Sequence, residues 1–502
     1  MESKGYVVRC RIDATGILKD ALHSLVFSLP VALEDSDKVN KYNRRLSWLL
    51  CPTEPTRQNV PDRIAPPIIP SRNLSMQPKN EQTFSVSARY WIVVVAFLGW
   101  MFAGVQLAVV SIVMREAVKD LIGIADEGDY GRWFGWLTAA FMFGAAAGGY
   151  VLGWAGDRWG RKRAIVWSIA LYSGFAGLTY FVTAAEQLLL MRFLVGVGVG
   201  GMWPNGISLV SEAWPNLSRP MVSGVIGTAA NVGTMLFSVH TCFVHVTPDS
   251  WRWVMLLGTT PAVLAIFAVF AIQESPGWLA LRSETDPHSK PESPIRSPLI
   301  EVFSPPMLRI TLVGILLGTI PLFGGWGSSN WANAWASEVG GKSQQLDPAL
   351  KARTLLARSA PGSVASLLGG VVASWVGRRT FYCVLSLGCL ACSQYLFRYS
   401  NPTSPDFLWW TAGLGLFNGF FFGWLPLYLP ELFPTRIRAT GAGVSFNFGR
   451  IATSFGILIA ASMLKETFGG DYARIGQLTS WIYLIGAVII WFAPDTSRNS
   501  IV

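Results

Sequence analysis

The chain has 502 residues, 51% of them hydrophobic and only 14% charged, with a mean hydropathy of +0.39. Those proportions exclude an ordinary soluble domain and place the chain in the membrane class. Its formal net charge of +10 has no basic stripe interleaved with exposed aromatics, so it reads as loop charge facing anionic lipid and excludes a nucleic-acid footprint.

Residues 1–85 are polar and proline-clustered (Pro52, Pro55, Pro61, Pro66, Pro67, Pro70), and their best apolar run, Leu25 to Leu33, is too short to span a bilayer. Lacking a basic start followed by a small-residue cleavage site, the segment does not read as a signal peptide. The expectation is a disordered cytoplasmic extension, with translation from Met76 as the alternative. Apolar runs of bilayer-spanning length then follow. They lie near 90–114, 132–152, 164–184, 188–210, 220–241, 253–272, 309–336, 355–374, 380–397, 407–430, 439–463 and 476–493. The expected fold is therefore all-α, with twelve transmembrane helices in two six-helix bundles. The divisions are an N-terminal bundle at 86–272, a polar Pro- and Ser-rich cytoplasmic linker at 273–308, a C-terminal bundle at 309–493 and a cytoplasmic tail at 494–502.

The stretch GWAGDRWGRKR, Gly153 to Arg163, separates two apolar runs, and its charges cannot lie in hydrocarbon, so it is a turn at a membrane face. Gly153, Gly160 and Arg161 recur as Gly370, Gly377 and Arg378, each shifted by 217 residues. Glu212, Pro215, Arg219 and Gly224 recur as Glu431, Pro434, Arg438 and Gly443, each shifted by 219. Two signatures with nearly one offset indicate a duplication, and in secondary transporters parallel repeats hold the solute site between them near the bilayer midplane. Lys and Arg cluster most tightly at 158–163 and 378–379, which makes those loops cytoplasmic. The even number of spans puts both termini on that side.

The spacing Gly153-x-x-x-Asp157-Arg158-x-Gly160-Arg161-Lys162 resembles the loop signature between spans 2 and 3 of the major facilitator superfamily. Arg192-x-x-x-Gly196-x-Gly198-x-Gly200, ESPGWL at 274–279, YLPELFPTRIRATGAG at 428–443 and the closing Pro494-Asp495-Thr496 are similar to sugar porters and organic-acid symporters of that superfamily. The resemblance covers roughly residues 88–497. It implies a carrier working by alternating access, a monomeric state, and an acid at Asp157 that caps span 11 and braces the outward-facing state. Read physically, Gly153 and Gly160 permit the turn and close helix approach. Arg161 and Arg163 can meet Glu212, and Arg378 can meet Glu431. With Arg158, Arg219 and Arg438 they make up a cytoplasmic gate. The second half has Ser374 and Trp375 where the first has Asp157 and Arg158, so its latch should be the weaker one.

No Asp or Glu lies inside a predicted span, and the buried cations of the sequence reading are Arg192 in span 4 and Arg450 in span 11. Gln106 stands where the resemblance places the acid of proton-coupled sugar symporters. An anionic solute would balance buried guanidiniums through a bidentate fork, although Arg192 could instead pair with Gln106, and Arg450 with Asn447 or backbone carbonyls. The run GGWGSSNWANAWAS, Gly324 to Ser337, argues for a broken helix lining a cavity. There Asn330 and Asn333 offer amides to a polar solute, and Trp326 and Trp331 offer ring faces. Asn418, Trp424 and Asn231 are further candidates.

Cys389 and Cys392 form a C-x-x-C inside an apolar span without a second ligand pair, so they read as small hydrophobes and no metal is implied. The sequence holds four histidines and no GxxxxGK[ST] loop, which argues against acid–base catalysis and ATP drive. No enzyme activity and no cofactor is expected. The favoured function is a secondary active or facilitative carrier of an organic anion in the cell (inner) membrane. A sugar carrier and a non-transporting sensor are the alternatives. Expected partners are a small-molecule solute, membrane lipid and, for a symporter, a coupling proton.

Overall fold

A computed structural model describes residues 84–123, 126–214, 219–276, 278–279, 298–342, 347, 349–434 and 437–496. The expectations for the extension, for most of the linker and for the end of the tail lie outside the described residues. Twelve helices among those described are long and apolar enough to cross a membrane. Spans 1 to 6 are Val86–Ile112, Glu127–Trp159, Arg161–Phe181, Ala185–Ala213, Met221–Phe243 and Trp251–Ala271. Spans 7 to 12 are Pro305–Gly341, Leu350–Val376, Arg378–Tyr399, Pro405–Glu431, Thr440–Glu466 and Tyr472–Phe492.

Local chemistry sets the ends of these helices. Ser85 starts span 1 by accepting from the N–H of Ala88 at 3.2 Å, and Asp126 starts span 2 by accepting from Asp129 N–H at 3.2 Å, both ordinary N-caps. Between them a short helix, Met114–Ile122, buries Glu116 and stops at Gly123 in the left-handed region (φ 65°). Gly160 (φ 105°) and Gly377 (φ 96°) make the equivalent turns before spans 3 and 9, a conformation that side chains with a Cβ resist. Span 7 begins at Pro305, ahead of the expected 309, after a further short helix at Pro298–Val302.

The helices pack as two copies of one unit. Within the halves span 2 lies on span 4 and span 1 on span 5, just as span 8 lies on span 10 and span 7 on span 11. Across the halves span 2 meets span 11 and span 5 meets span 8. Adding six to each span number exchanges these two contacts, as a pseudo-two-fold relation requires. Close approach depends on small residues, since lipid offers no hydrophobic drive between helices. A Cβ on Gly148 of span 2 would lie 1.9 Å from the Val197 carbonyl oxygen of span 4.

The interruption expected in span 7 is narrower than a break. Gly324–Ser328 forms a single π turn, preceded by Pro321, and the helix then resumes at Ser329. Ser329 Oγ donates to the Gly324 carbonyl and Trp331 Nε1 donates to the Gly327 carbonyl, both at 2.8 Å. The widened turn therefore leaves those carbonyls satisfied inside the membrane. Cys389 and Cys392 are buried and free.

Gly148→Val should destabilise the fold by about 1–3 kcal/mol through overpacking. The check is the thermal midpoint of the detergent-purified protein, which should fall clearly below that of the parent chain.

Candidate functional site

Spans 1, 2, 7, 8, 10 and 11 bring a set of polar and aromatic side chains to the middle of the molecule. Asn330 is 1% exposed and links the two halves. Its Oδ1 accepts from Arg358 Nη1 of span 8 at 2.7 Å and from Ser111 Oγ of span 1 at 3.4 Å. Arg358 also reaches the Gly325 carbonyl at 3.5 Å. Asn333 is equally buried, and the Nδ2 atoms of both asparagines have no hydrogen-bond partner. Trp326 lies 6.1 Å from Phe141 and Trp331 5.6 Å from Phe134, ring centre to ring centre, so the aromatic wall draws on both halves. Asn418 Nδ2 donates to Tyr483 at 3.3 Å, leaving its Oδ1 unmatched.

Arg450 is 5% exposed. It donates to the Ala145 carbonyl of span 2 at 2.9 Å and to Asn447 Oδ1 at 3.2 Å, and it lies 4.7 Å from the Phe446 ring centre. Asn447 in turn rests against Gly149, where a Cβ would meet its Oδ1 at 2.4 Å. Arg192 is fully buried, and none of its three guanidinium nitrogens has a partner. The expected Arg192–Gln106 pair does not form. Gln106 Nε2 donates to the Gly258 carbonyl at 3.3 Å, its Oε1 is unmatched, and it faces a recess of about 270 Å³ lined by Phe102, Phe237 and Pro261 within the first half. Trp424 is also removed from the centre. It packs between Tyr382 and Tyr428 and donates to the Arg378 carbonyl. Asn231 joins spans 5 and 8 through Ser366 Oγ at 2.7 Å.

Sequence reasoning missed Arg358, the third guanidinium of the interior. Among the described residues no carboxylate pairs with Arg192, Arg358 or Arg450. The signal was present, because Arg358 falls inside the expected span 355–374, where any charge requires an explanation.

On the face that carries the Gly153–Arg163 turn, the charges pair within their own half. Arg161 contacts Glu212, whereas Arg163 is exposed beside Trp159 and Trp167. Arg158 sits 5.8 Å from the Trp154 ring centre. Glu274 of the ESPGWL stretch caps span 3, its Oε1 accepting from the N–H groups of Arg161 (2.8 Å) and Lys162 (3.1 Å), where a carboxylate suits the helix dipole. Ser275 donates to Glu212, and Trp278 donates to the Asp157 carbonyl. The helix that carries span 11 starts at Arg438, after Ile437, whose own side chain makes no cap bond. Gly153 also needs no close approach, since the nearest atom to an added Cβ would be 4.0 Å away.

The second half does not have the weaker pair. Arg378 holds Glu431 through two bonds of 3.1 and 3.0 Å and donates to Ser374 Oγ at 3.1 Å, while Thr496 donates to Glu431. Both partners are more buried than Arg161 and Glu212, at 10% and 5% exposed against 23% and 34%. Ser374 stands in for the missing acid by supporting the arginine. Arg438 is half-buried at the start of span 11, and the side chain of Arg219 lies outside the described residues.

At the opposite face two ion pairs cross between the halves. Glu116, on the short helix after span 1, binds Lys351 of span 8 at 2.9 Å with both side chains under a tenth exposed. Asp129 of span 2 contacts Lys465 of span 11, and Arg115 holds Glu127 with two bonds of 2.7 and 2.9 Å. Burial alone would raise the Glu116 carboxyl, but Lys351, with Lys119 and Arg115, outweighs it and holds the group below the usual carboxylate range. This mouth is therefore closed by paired charges, with the Glu116 carboxylate ionised at neutral pH. Lys351 lies just outside the apolar run expected at 355–374, so its position along the chain gives no sign of this pairing.

Two six-helix bundles meeting along a two-fold relation, with a polar site between them and one mouth latched, define a transporter that works by exchanging access between two faces. The chain belongs to the Major Facilitator Superfamily, whose profile matches residues 90–457. A putative niacin/nicotinamide transporter NiaP of Bacillus subtilis is 28% identical, with 74% of this chain and 87% of that protein covered. A cis,cis-muconate transport protein of Acinetobacter baylyi is 25% identical over 75% of this chain and 88% of its own. A putative metabolite transport protein of Haemophilus influenzae is 26% identical over 73% and 87%. In fold the chain is similar to the partially occluded inward-open form of the xylose transporter XylE from Escherichia coli. The TM-score is 0.64 at 18% identity, covering 83% of this chain and all of that one. The protein is thus an integral membrane transporter of small solutes and not an enzyme.

Reversing one member of the closed-mouth pair should stop the cycle, because leaving a buried charge unpaired costs about 3–5 kcal/mol. Glu116→Lys and Lys351→Glu singly should each cut solute uptake by roughly ten-fold or more. The double exchange should recover most of it, measured as initial uptake rate at equal membrane expression.

Proposed function

We propose that the protein carries a small organic carboxylate by alternating access. The solute sits in the central site with its carboxylate on Arg450 and its planar body against Trp326 and Trp331. The amides of Asn330, Asn333 and Asn418 complete the site, and Asn447 holds Arg450 in place. The observation that carries this reading is three interior guanidiniums, Arg192 and Arg450 buried and Arg358 half-buried, with no carboxylate in reach among the described residues. A guanidinium in a low-dielectric interior needs an anion, and its planar fork fits a carboxylate. The muconate transport protein to which the chain is similar is named for a small unsaturated carboxylate. NiaP of Bacillus subtilis is named for niacin, a carboxylate, and for nicotinamide, its neutral amide, and all are planar solutes that suit an aromatic wall.

In this reading the Gly153–Arg163 turn faces the cytoplasm, both termini lie on that side of the cell membrane, and the carrier works as a monomer. The Arg161–Glu212 and Arg378–Glu431 pairs, with Asp157, Arg158, Gly160, Arg219 and Arg438, form the cytoplasmic gate, while Glu116–Lys351 and Asp129–Lys465 close the outer mouth. A sugar carrier is the second reading. The unmatched amide groups of Asn333 and Asn418 favour it, since both suit hydroxyls.

Competition separates the two. Uptake of labelled nicotinate should be inhibited by benzoate and cis,cis-muconate and not by hexoses, and Arg450→Gln should lower it by roughly ten-fold or more. Inhibition by hexoses alone, or full uptake by Arg450→Gln, would overturn the carboxylate assignment. Gln106 supplies no titratable group where related symporters keep an acid. A protonophore should therefore leave uptake into energised vesicles unchanged, and a rate that collapses with the pH gradient would restore the coupling proton.

A further inference from the structure

Resting on the carboxylate reading above, we infer that Arg358 is a second, specificity-determining guanidinium of the solute site, and that its bond to Asn330 is the one an anionic solute replaces. Arg358 is half-buried on span 8, with its Nη1 2.7 Å from Asn330 Oδ1 and 3.5 Å from the Gly325 carbonyl of the π turn. Both partners are neutral, so they satisfy its hydrogen-bonding geometry and leave its charge uncompensated. A carboxylate brings the opposite charge and can take two parallel bonds from the guanidinium, which a single amide oxygen cannot, so it displaces Asn330 when it arrives. The same Oδ1 also accepts from Ser111 Oγ of span 1 in the other half. Losing Arg358 therefore frees the Asn330 side chain to turn, and with it one of the contacts between the halves.

Position links this event to the closed mouth. Lys351 lies seven residues before Arg358 on the same helix, two turns nearer the face where it binds Glu116. Ser111 precedes Glu116 by five residues on the other side of the seam. Spans 1 and 8 are thus held at two levels, by an ion pair at the mouth and by the Arg358–Asn330–Ser111 chain beneath it. An anion acts on the lower level, whereas a neutral solute has no electrostatic claim on Arg358 and leaves the chain intact. This gives the site a means of distinguishing anions from neutral analogues of the same shape.

The test is equilibrium binding of nicotinate, benzoate and cis,cis-muconate to the full-length purified protein, read by quenching of tryptophan fluorescence. Asn330→Asp is nearly isosteric and gives Arg358 the carboxylate it lacks. It should weaken anion binding by about ten-fold or more, as should Arg358→Gln, while Arg358→Lys should recover part of the loss. Retained thermal midpoints show that the variants are folded. Arg450→Gln separates this inference from the one beneath it. If it abolishes anion binding while Asn330→Asp and Arg358→Gln bind as the parent does, the role of Arg358 is refuted and the carboxylate reading stands. If the parent binds none of the three anions, or Arg450→Gln binds them unchanged, both fall.

Discussion

An ionised side chain left alone in hydrocarbon is the state this fold is arranged to avoid, and most of its features follow from that constraint. At the two faces four ion pairs serve this end. Arg161 with Glu212 and Arg378 with Glu431 sit on one side, and Glu116 with Lys351 and Asp129 with Lys465 on the other. The two sets differ in one respect that decides what they do. The first pairs lie within a half and survive any rigid movement of one bundle against the other. The second pairs lie between halves and must break for that mouth to open. Arrangement of charge, and not charge alone, makes one set a brace and the other a latch.

The interior follows the same constraint with a different outcome. Among the described residues Arg192, Arg358 and Arg450 have no acid, and of the three Arg358 and Arg450 have neutral acceptors in reach. Backbone carbonyls and amide oxygens reduce the penalty of burying a guanidinium without cancelling its charge. The interior therefore remains electropositive, and the aromatic rings around it exclude water that would screen the field. A planar anion satisfies both features at once. A hexose would satisfy the amides and leave the charge as it was, which is why the carboxylate reading ranks above the sugar reading.

Much of this architecture could be read from the residues. Twelve apolar runs, the 217-residue echo and the Pro- and Ser-rich 273–308 region define two bundles because length, duplication and polarity are one-dimensional properties. The pairing of Arg161 and Arg378 with glutamates was legible for the same reason, since both partners recur with one offset. What escaped was whatever depends on the other half. Lys351 gave no sign of its role because its partner lies 235 residues away on a helix of the first bundle. Arg358 was passed over though it sits inside an expected span. The surroundings of the Arg378–Glu431 pair were not legible, because Thr496, which donates to Glu431, lies 65 residues further along the chain.

Span 7 shows why the centre and the seam between bundles are one problem. Its π turn at Gly324–Ser328 shifts the helical register, and Asn330 and Asn333 follow directly after it. A π turn adds a residue per turn, so side chains beyond it face a direction that a regular helix would have given to their neighbours. That shift carries Asn330 to the point where Arg358 and Ser111 both reach its Oδ1. Tyr483 fills the space at Gly324, where any Cβ would collide with its ring at 2.2 Å, so the turn is fixed from behind by span 12. The amide is therefore held by covalent geometry on one side and released by the solute on the other, which lets a ligand of a few atoms act on a contact between bundles.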